Sequence, residues 1–221
     1  MHHPEDLTLA ERKPPALSLG RKLVLFSLIG IAALFLIVVV FPYFNINEAF
    51  YGRYWPYLLW LVAHVCAGIV AMSVGLFQLW TGLGGVRMTI HPWTGRVYGV
   101  AILLGSISAF ALARGSLEAE GLAFAMGLSG LAVAWLITTG MAVLAIRRGH
   151  VGQHKEWMVR SYVVTFAFVT FRVVSLSLAA LGVADATASV TIASWFCWAV
   201  PLLLVEAFIQ GRKIMRPSSA S

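Results

Sequence analysis

LVLFSLIGIAALFLIVVV, residues 23–40, runs for eighteen residues without a charge, and only Ser27 and Gly30 dilute its apolar side chains. About 20 such residues coiled as a helix rise roughly 30 Å, the thickness of a bilayer's hydrocarbon. Arg21 and Lys22 precede the run and PYFNINEAFYGRYW, residues 42–55, follows it. The run is too long for the apolar part of a signal peptide, and no small-residue cleavage site comes after it. It is therefore read as an uncleaved span.

Working outward, similar stretches at 57–80, 94–114, 121–146, 158–182 and 187–210 bring the expected spans to six, with the first at 22–43. The whole chain agrees: 60% of its 221 residues are hydrophobic and 11% are charged, and the mean hydropathy is +0.85. Such a composition excludes a water-soluble domain. The expected fold is an all-α polytopic membrane helix bundle. Residues 1–20 form a disordered cytoplasmic tail, 21–211 the six-span domain with its core at 57–182, and 212–221 a second cytoplasmic tail. Arg12, Lys13, Arg21 and Lys22 lie before the first span, Arg87 and Arg96 between spans two and three, and Arg147, Arg148, Lys155 and Arg160 between four and five. Arg212, Lys213 and Arg216 follow the sixth. The opposite side holds Arg53 and Arg114 with Glu48, Glu118, Glu120 and Asp185. Positive residues stay inside, so both termini are expected in the cytoplasm of a bacterial inner membrane. The net charge of +7 is scattered over membrane-flanking loops, which points to anionic lipid headgroups and not to nucleic acid. Cys66 and Cys197 are far apart within spans and imply neither a disulfide nor a thiolate metal site.

One motif is written twice. HPWTGRVY begins at His91 and HKEWMVRSY at His154, so that Trp93, Arg96 and Tyr98 align with Trp157, Arg160 and Tyr162. Both copies open spans that run in the same direction. The repeat is parallel, and it predicts two equivalent hairpins, spans two and three and spans four and five, forming a four-helix core with spans one and six peripheral. Trp, Tyr and Arg are also ordinary headgroup-layer residues, but interface anchoring does not require the histidine before each Trp. His91 and His154, with His150 as an alternative, are expected near one another at the cytoplasmic mouth.

A histidine-bearing second span, HPWTGRVY, and the opening HKEWMVRSYVVTFAFVTFR of span five together resemble DUF2306, a family of bacterial predicted membrane proteins. The resemblance covers about residues 58–180. It implies a multi-helix inner-membrane protein and names no chemistry. A looser similarity of layout, histidines on a four-helix core, links the chain to cytochrome b561-like and ferric-reductase-like haem proteins.

Haem b between membrane helices needs two imidazoles from different helices and small residues that admit the macrocycle. His64 offers one ligand, above a strip of Gly68, Ala71, Gly75 and Gln78, but no other span carries a histidine at that depth. His91 and His154 offer two, with Arg96 and Arg160 placed to pair with haem propionates. Arg172 lies about nine residues inside span five, where an unpaired charge costs about 2.5–3.5 kcal/mol on insertion scales. With His64, Thr170 and Ser175 it is expected to form an outer-half pocket for a quinone carbonyl, a carboxylate or a relay water. Gln78 and Glu206 complete the interior polar set, Glu206 being able to snorkel or to pair with Arg96 or Arg160. Met1-His2-His3 could form a square-planar copper site through a free amine. No nucleophile–base pair or paired zinc ligands occur at supporting spacing, and GLGG at 82–85 is a turn without the strand–helix context of a nucleotide loop. Three function classes follow: a b-type haem or quinone-linked redox protein, a small-molecule transporter or sensor without cofactor, and a non-catalytic membrane scaffold.

Overall fold

The computed structural model describes residues 18–83 and 89–215. The expected tails, as far as they comprise residues 1–17 and 216–221, lie outside the described residues, as do the copper site at His2 and His3, the glycines of the GLGG turn at 84–85, and Arg12, Lys13, Arg87 and Arg216. Every regular element among the described residues is helical.

Among the described residues, six helices are long and apolar enough to cross a membrane, over Lys22–Phe44, Tyr54–Gly82, His91–Gly115, Leu122–Arg147, Val151–Ala180 and Ala186–Ile214. The first takes in most of α1 (Leu19–Phe35), which loosens into a π turn over Leu36–Val40 and a 3-10 turn over Phe41–Phe44. A short α2 (Glu48–Tyr51) and a 3-10 turn, Gly52–Tyr57, lead into α3 (Leu58–Leu83). Asn47 caps α2, its side chain accepting from the Phe50 amide at 2.8 Å. Then come α4 (His91–Gly115), a short α5 (Leu117–Glu120), α6 (Leu122–Arg147), α7 (Val151–Thr165), α8 (Ala167–Ala180) and α9 (Ala186–Ile214). The fifth span is α7 and α8 in sequence, jointed at Phe166. There Thr165 Oγ1 donates back to the Ser161 carbonyl at 3.0 Å, a bond that bends helices without proline. This span starts seven residues before the expected 158, because its polar first turns, VGQHKEW, are helical too.

The closest helix pairs are α3 with α4 and α6 with α7, the two hairpins that the repeat predicts. Glycines set their spacing. A Cβ on Gly75 of α3 would stand 2.6 Å from the Tyr162 ring and 2.9 Å from the Tyr98 ring, so the tyrosines of both copies meet over this one position. Their hydroxyls are satisfied: Tyr98 bonds Ser161 Oγ and Thr165 Oγ1, each at 2.8 Å, and Tyr162 donates to the Met72 carbonyl at 3.3 Å. Thr139 Oγ1 reaches Ser161 Oγ at 2.7 Å and Trp135 Nε1 donates to Thr165 Oγ1 at 2.8 Å, extending the network across α4, α6 and α7. In hydrocarbon such bonds replace the missing hydrophobic drive between helices.

The sixth span is not peripheral, contrary to expectation. α9 packs along α6, α7 and α8, and a Cβ on Gly127 of α6 would come within 2.2 Å of Ser194 Oγ. Small residues let the two backbones close in. α1 is peripheral, as expected, resting on α3 with only Ala32 fully covered.

Candidate binding cavity

Toward the end carrying the α8–α9 turn the helices enclose a cavity of about 370 Å³. Met72, Leu128, Leu131, Val164 and Phe168 make its walls apolar, Trp135 forms part of its floor, and Phe35, Leu36, Val39, Val40 and Tyr43 close one side from the first span. The polar residues on its surface are His64, Arg172, Tyr43, Tyr54 and Glu120, of which Tyr54 and Glu120 have interaction partners.

His64 is held by α4. Its Nδ1 lies 3.0 Å from the Gly105 carbonyl, which can only accept, so Nδ1 carries a proton and, in the neutral form of the ring, Nε2 is the acceptor. The ring packs on Phe168 with centroids 5.3 Å apart, and Phe168 meets Trp135 edge-on at 5.5 Å. Arg172 comes from α8. Its Nη2 donates to the Tyr43 hydroxyl at 2.9 Å, its guanidinium lies 5.8 Å from the Phe171 ring, and among the described residues it has no carboxylate partner. The cavity thus presents a hydrogen-bond acceptor from α3 and a cationic donor from α8 within apolar walls. His64 and Arg172 do line one space, as their similar depth suggests. Thr170 and Ser175 do not line it; their hydroxyls donate to the Phe166 and Arg172 carbonyls at 3.4 and 3.3 Å.

The remaining interior polar residues lie elsewhere. Gln78 Nε2 donates to the His91 carbonyl at 2.8 Å and to Thr94 Oγ1 at 2.7 Å, tying α3 to the start of α4. Glu206 meets Arg160, whose Nη2 and Nε donate to it at 2.5 and 2.6 Å. Glu156 stands 3.8 Å from Arg160 and 2.6 Å from Lys213. This cluster joins α7 to α9, and Arg160 is only 6% exposed within it.

The two motif copies keep a common geometry. Arg96 stacks over Trp93 at 4.6 Å and Arg160 over Trp157 at 4.7 Å. His91 Nδ1 lies 2.7 Å from Thr81 Oγ1, and His154 Nδ1 lies 2.9 Å from the Ala142 carbonyl, each histidine tied to the helix before its own. The copies differ in their arginines: Arg160 is buried in ion pairs, whereas Arg96 is exposed.

His91 and His154 lie near enough to interact electrostatically, and an imidazole held through Nδ1 is how metal ligands are oriented. The crevice beside His91 does not fit haem: Gln78, Leu79, Gly82, His91, Lys155 and Met158, without His154, enclose about 20 Å³, room for a single water, and Arg160 is engaged by Glu206. Nor does the strip below His64 admit a macrocycle, because rings of the protein fill it. Phe168 lies 3.6 Å from a Cβ built on Gly68, and both motif tyrosines cover Gly75. Among the described residues no group of three or more His, Cys, Asp or Glu could hold a metal ion.

The residues that sequence reasoning missed are Tyr43 and Trp135. Tyr43 sits in an outer aromatic cluster with Phe50 and Tyr51, at centroid distances of 5.6 and 6.2 Å, and an interfacial tyrosine after a span carries no sign that it turns inward. Trp135 is a tryptophan at mid-span, away from the headgroup layer where its kind gathers, and that displacement was the available signal.

No curated protein and no solved structure matches the chain, and the likeness to cytochrome b561-like and ferric-reductase-like proteins stays one of layout. The family described as predicted membrane protein (DUF2306) matches residues 61–209, from the second span through most of the sixth. That range takes in α9 and so coincides with the helices that pack together. The chain is a multi-pass membrane protein and belongs to the DUF2306 family.

Proposed function

We propose that this protein binds a lipophilic molecule of the quinone class inside the membrane and serves quinone-linked redox chemistry or its supply. The observation that carries this is the pairing, on one apolar cavity, of the His64 Nε2 acceptor with the Arg172 guanidinium. A volume near 370 Å³ falls at the lower end of small-molecule pockets, enough for a substituted ring and the start of an isoprenoid tail. A quinone carbonyl accepts from Arg172, and a quinol hydroxyl donates to His64. The tail leaves toward lipid past the first span. Haem b is not part of this reading, because the histidines do not frame a space for it.

A carrier or sensor for a carboxylate amphiphile is the second reading, and what favours it is that Arg172 has no carboxylate partner among the described residues. The Lys and Arg distribution supports reading both termini as cytoplasmic in a bacterial inner membrane, with the cavity in the outer leaflet.

Trp135 on the cavity floor provides the assay. Decylubiquinone titrated into the protein in nanodiscs is expected to quench its fluorescence saturably, and Trp135→Phe removes that component. Saturation is lost in Arg172→Leu and weakened in His64→Leu. Quenching that rises linearly with quinone and is equal in Arg172→Leu would overturn the proposal. Saturable competition by laurate without decylubiquinone binding would replace it with the carboxylate reading.

A further inference from the structure

We infer that Tyr43 stands in for the ligand at Arg172, so that an oxygen arriving in the cavity displaces it and frees the outer end of the first span. This rests on the cavity reading above and assigns its regulation. The cavity's lateral wall is the outer part of the span that the bundle holds least. Of the six spans the first is the least buried, and it rests on α3 through Ala32, Phe35 and Leu36, which pack near Met72 and Val169.

Among the described residues, the bond from Arg172 to the Tyr43 hydroxyl is the one side-chain hydrogen bond that joins this span to helices α3–α9. The Tyr43 carbonyl accepts from the Tyr51 hydroxyl, which ties the tyrosine to the outer aromatic cluster and to no core helix.

The backbone is built to give way at the same place. Regular α-helix ends at Phe35, the bonding shifts to a π turn over Leu36–Val40, and it shifts again to a 3-10 turn containing Pro42. π turns are short, rare interruptions of helical bonding, and a segment that changes its pattern twice in nine residues has no single ladder to stiffen it. These are the residues that wall the cavity.

Chemistry supplies the coupling. A guanidinium this deep needs an oxygen, and Tyr43 supplies one from inside the cavity, where a carbonyl-bearing ligand would place its own. Phe171 covers the guanidinium as well, which limits the directions from which an oxygen can approach. When the ligand takes the position at Nη2, the phenol loses its partner and the wall loses its tether. The site is closed when empty and opens toward the lipid as it fills or exchanges.

The test is a distance measurement between nitroxides in nanodiscs, on Phe41→Cys and Val183→Cys, both exposed, in a Cys66→Ala/Cys197→Ala background. A single narrow distribution is expected without ligand. Tyr43→Phe broadens it, and saturating decylubiquinone does the same when Tyr43 is intact. Tyr43→Phe also binds decylubiquinone roughly three- to tenfold tighter, since the ligand no longer competes for Arg172. An unchanged distribution in Tyr43→Phe would overturn the inference, as would saturable decylubiquinone binding that leaves the labels unmoved. If Tyr43→Phe broadens the distribution but decylubiquinone neither binds nor moves the labels, the tether stands and the quinone reading falls.

Discussion

Gly75 and Gly99 lie in adjacent helices of the same hairpin, and alanine at the two positions is expected to have opposite effects. At Gly99 an added methyl meets nothing within 4 Å, whereas at Gly75 it would stand 2.6 Å from the Tyr162 ring and 2.9 Å from the Tyr98 ring. Neither ring can simply swing aside. The Tyr98 hydroxyl is fixed by Ser161 and Thr165, and the Tyr162 hydroxyl by Met72. Replacing a mid-helix glycine with alanine gains about 0.5–1 kcal/mol, and at Gly99 that is the whole effect. Overpacking costs about 1–3 kcal/mol, so Gly75→Ala is left less stable than the parent by up to about 2.5 kcal/mol. The two variants therefore differ by the overpacking cost itself, about 1–3 kcal/mol. Equilibrium unfolding in mixed detergent micelles, or steric trapping in bicelles, resolves a gap of that size. Adding Tyr162→Leu should recover part of the loss at Gly75. Equal stability of Gly75→Ala and Gly99→Ala would refute the convergence of the two motif tyrosines, and with it the pseudo-symmetric core.

Glu206→Gln leaves a nearly buried Arg160 with only the more distant Glu156, and a loss of about 1–3 kcal/mol is expected in the same unfolding assay. Arg96→Gln, at the equivalent position of the other copy, stays within about 0.5 kcal/mol because that arginine is exposed. Trp135→Phe removes the donor to Thr165 and costs about 1 kcal/mol, read as a lower unfolding midpoint; an unchanged midpoint would mean that the polar network contributes nothing. Protein purified from cells supplied with haem precursor is expected to show no reduced-minus-oxidised b-type bands that depend on His91 or His154. Bands lost in either alanine variant would show that the crevice opens far wider than 20 Å³.

The fold was legible where lipid imposes a simple requirement. Each span must be apolar for about 20 residues, and runs such as residues 23–40 state this directly. The two hairpins were legible because Trp93, Arg96 and Tyr98 recur as Trp157, Arg160 and Tyr162 in spans that run the same way. The place of α9 was not, since its contact depends on Gly127 meeting Ser194, and small residues are common in every span of this chain. At the site, Arg172 and His64 stood out because a cation or an imidazole at that depth demands a partner. The reading of His91 and His154 as a haem pair finds no space for a macrocycle in the crevice beside His91, and how neighbouring rings fill space is a property that spacing along the chain does not encode. Glu206 and Gln78 were singled out as interior polar groups, but each is spoken for by a residue on another helix.

The crowded and hollow ends of this bundle divide its tasks between the leaflets. The two motif tyrosines, the hydroxyls of Thr139, Ser161 and Thr165, and the ion pairs of Arg160 lie toward the α6–α7 turn, so much of the resistance to unfolding resides in one half of the membrane's thickness. The half around His64 and Arg172 is spared that duty. Trp135 apart, side chains lining the void can be exchanged for others of different size or polarity while the opposite half keeps the helices assembled, and ligand preference can drift without the scaffold having to be solved again.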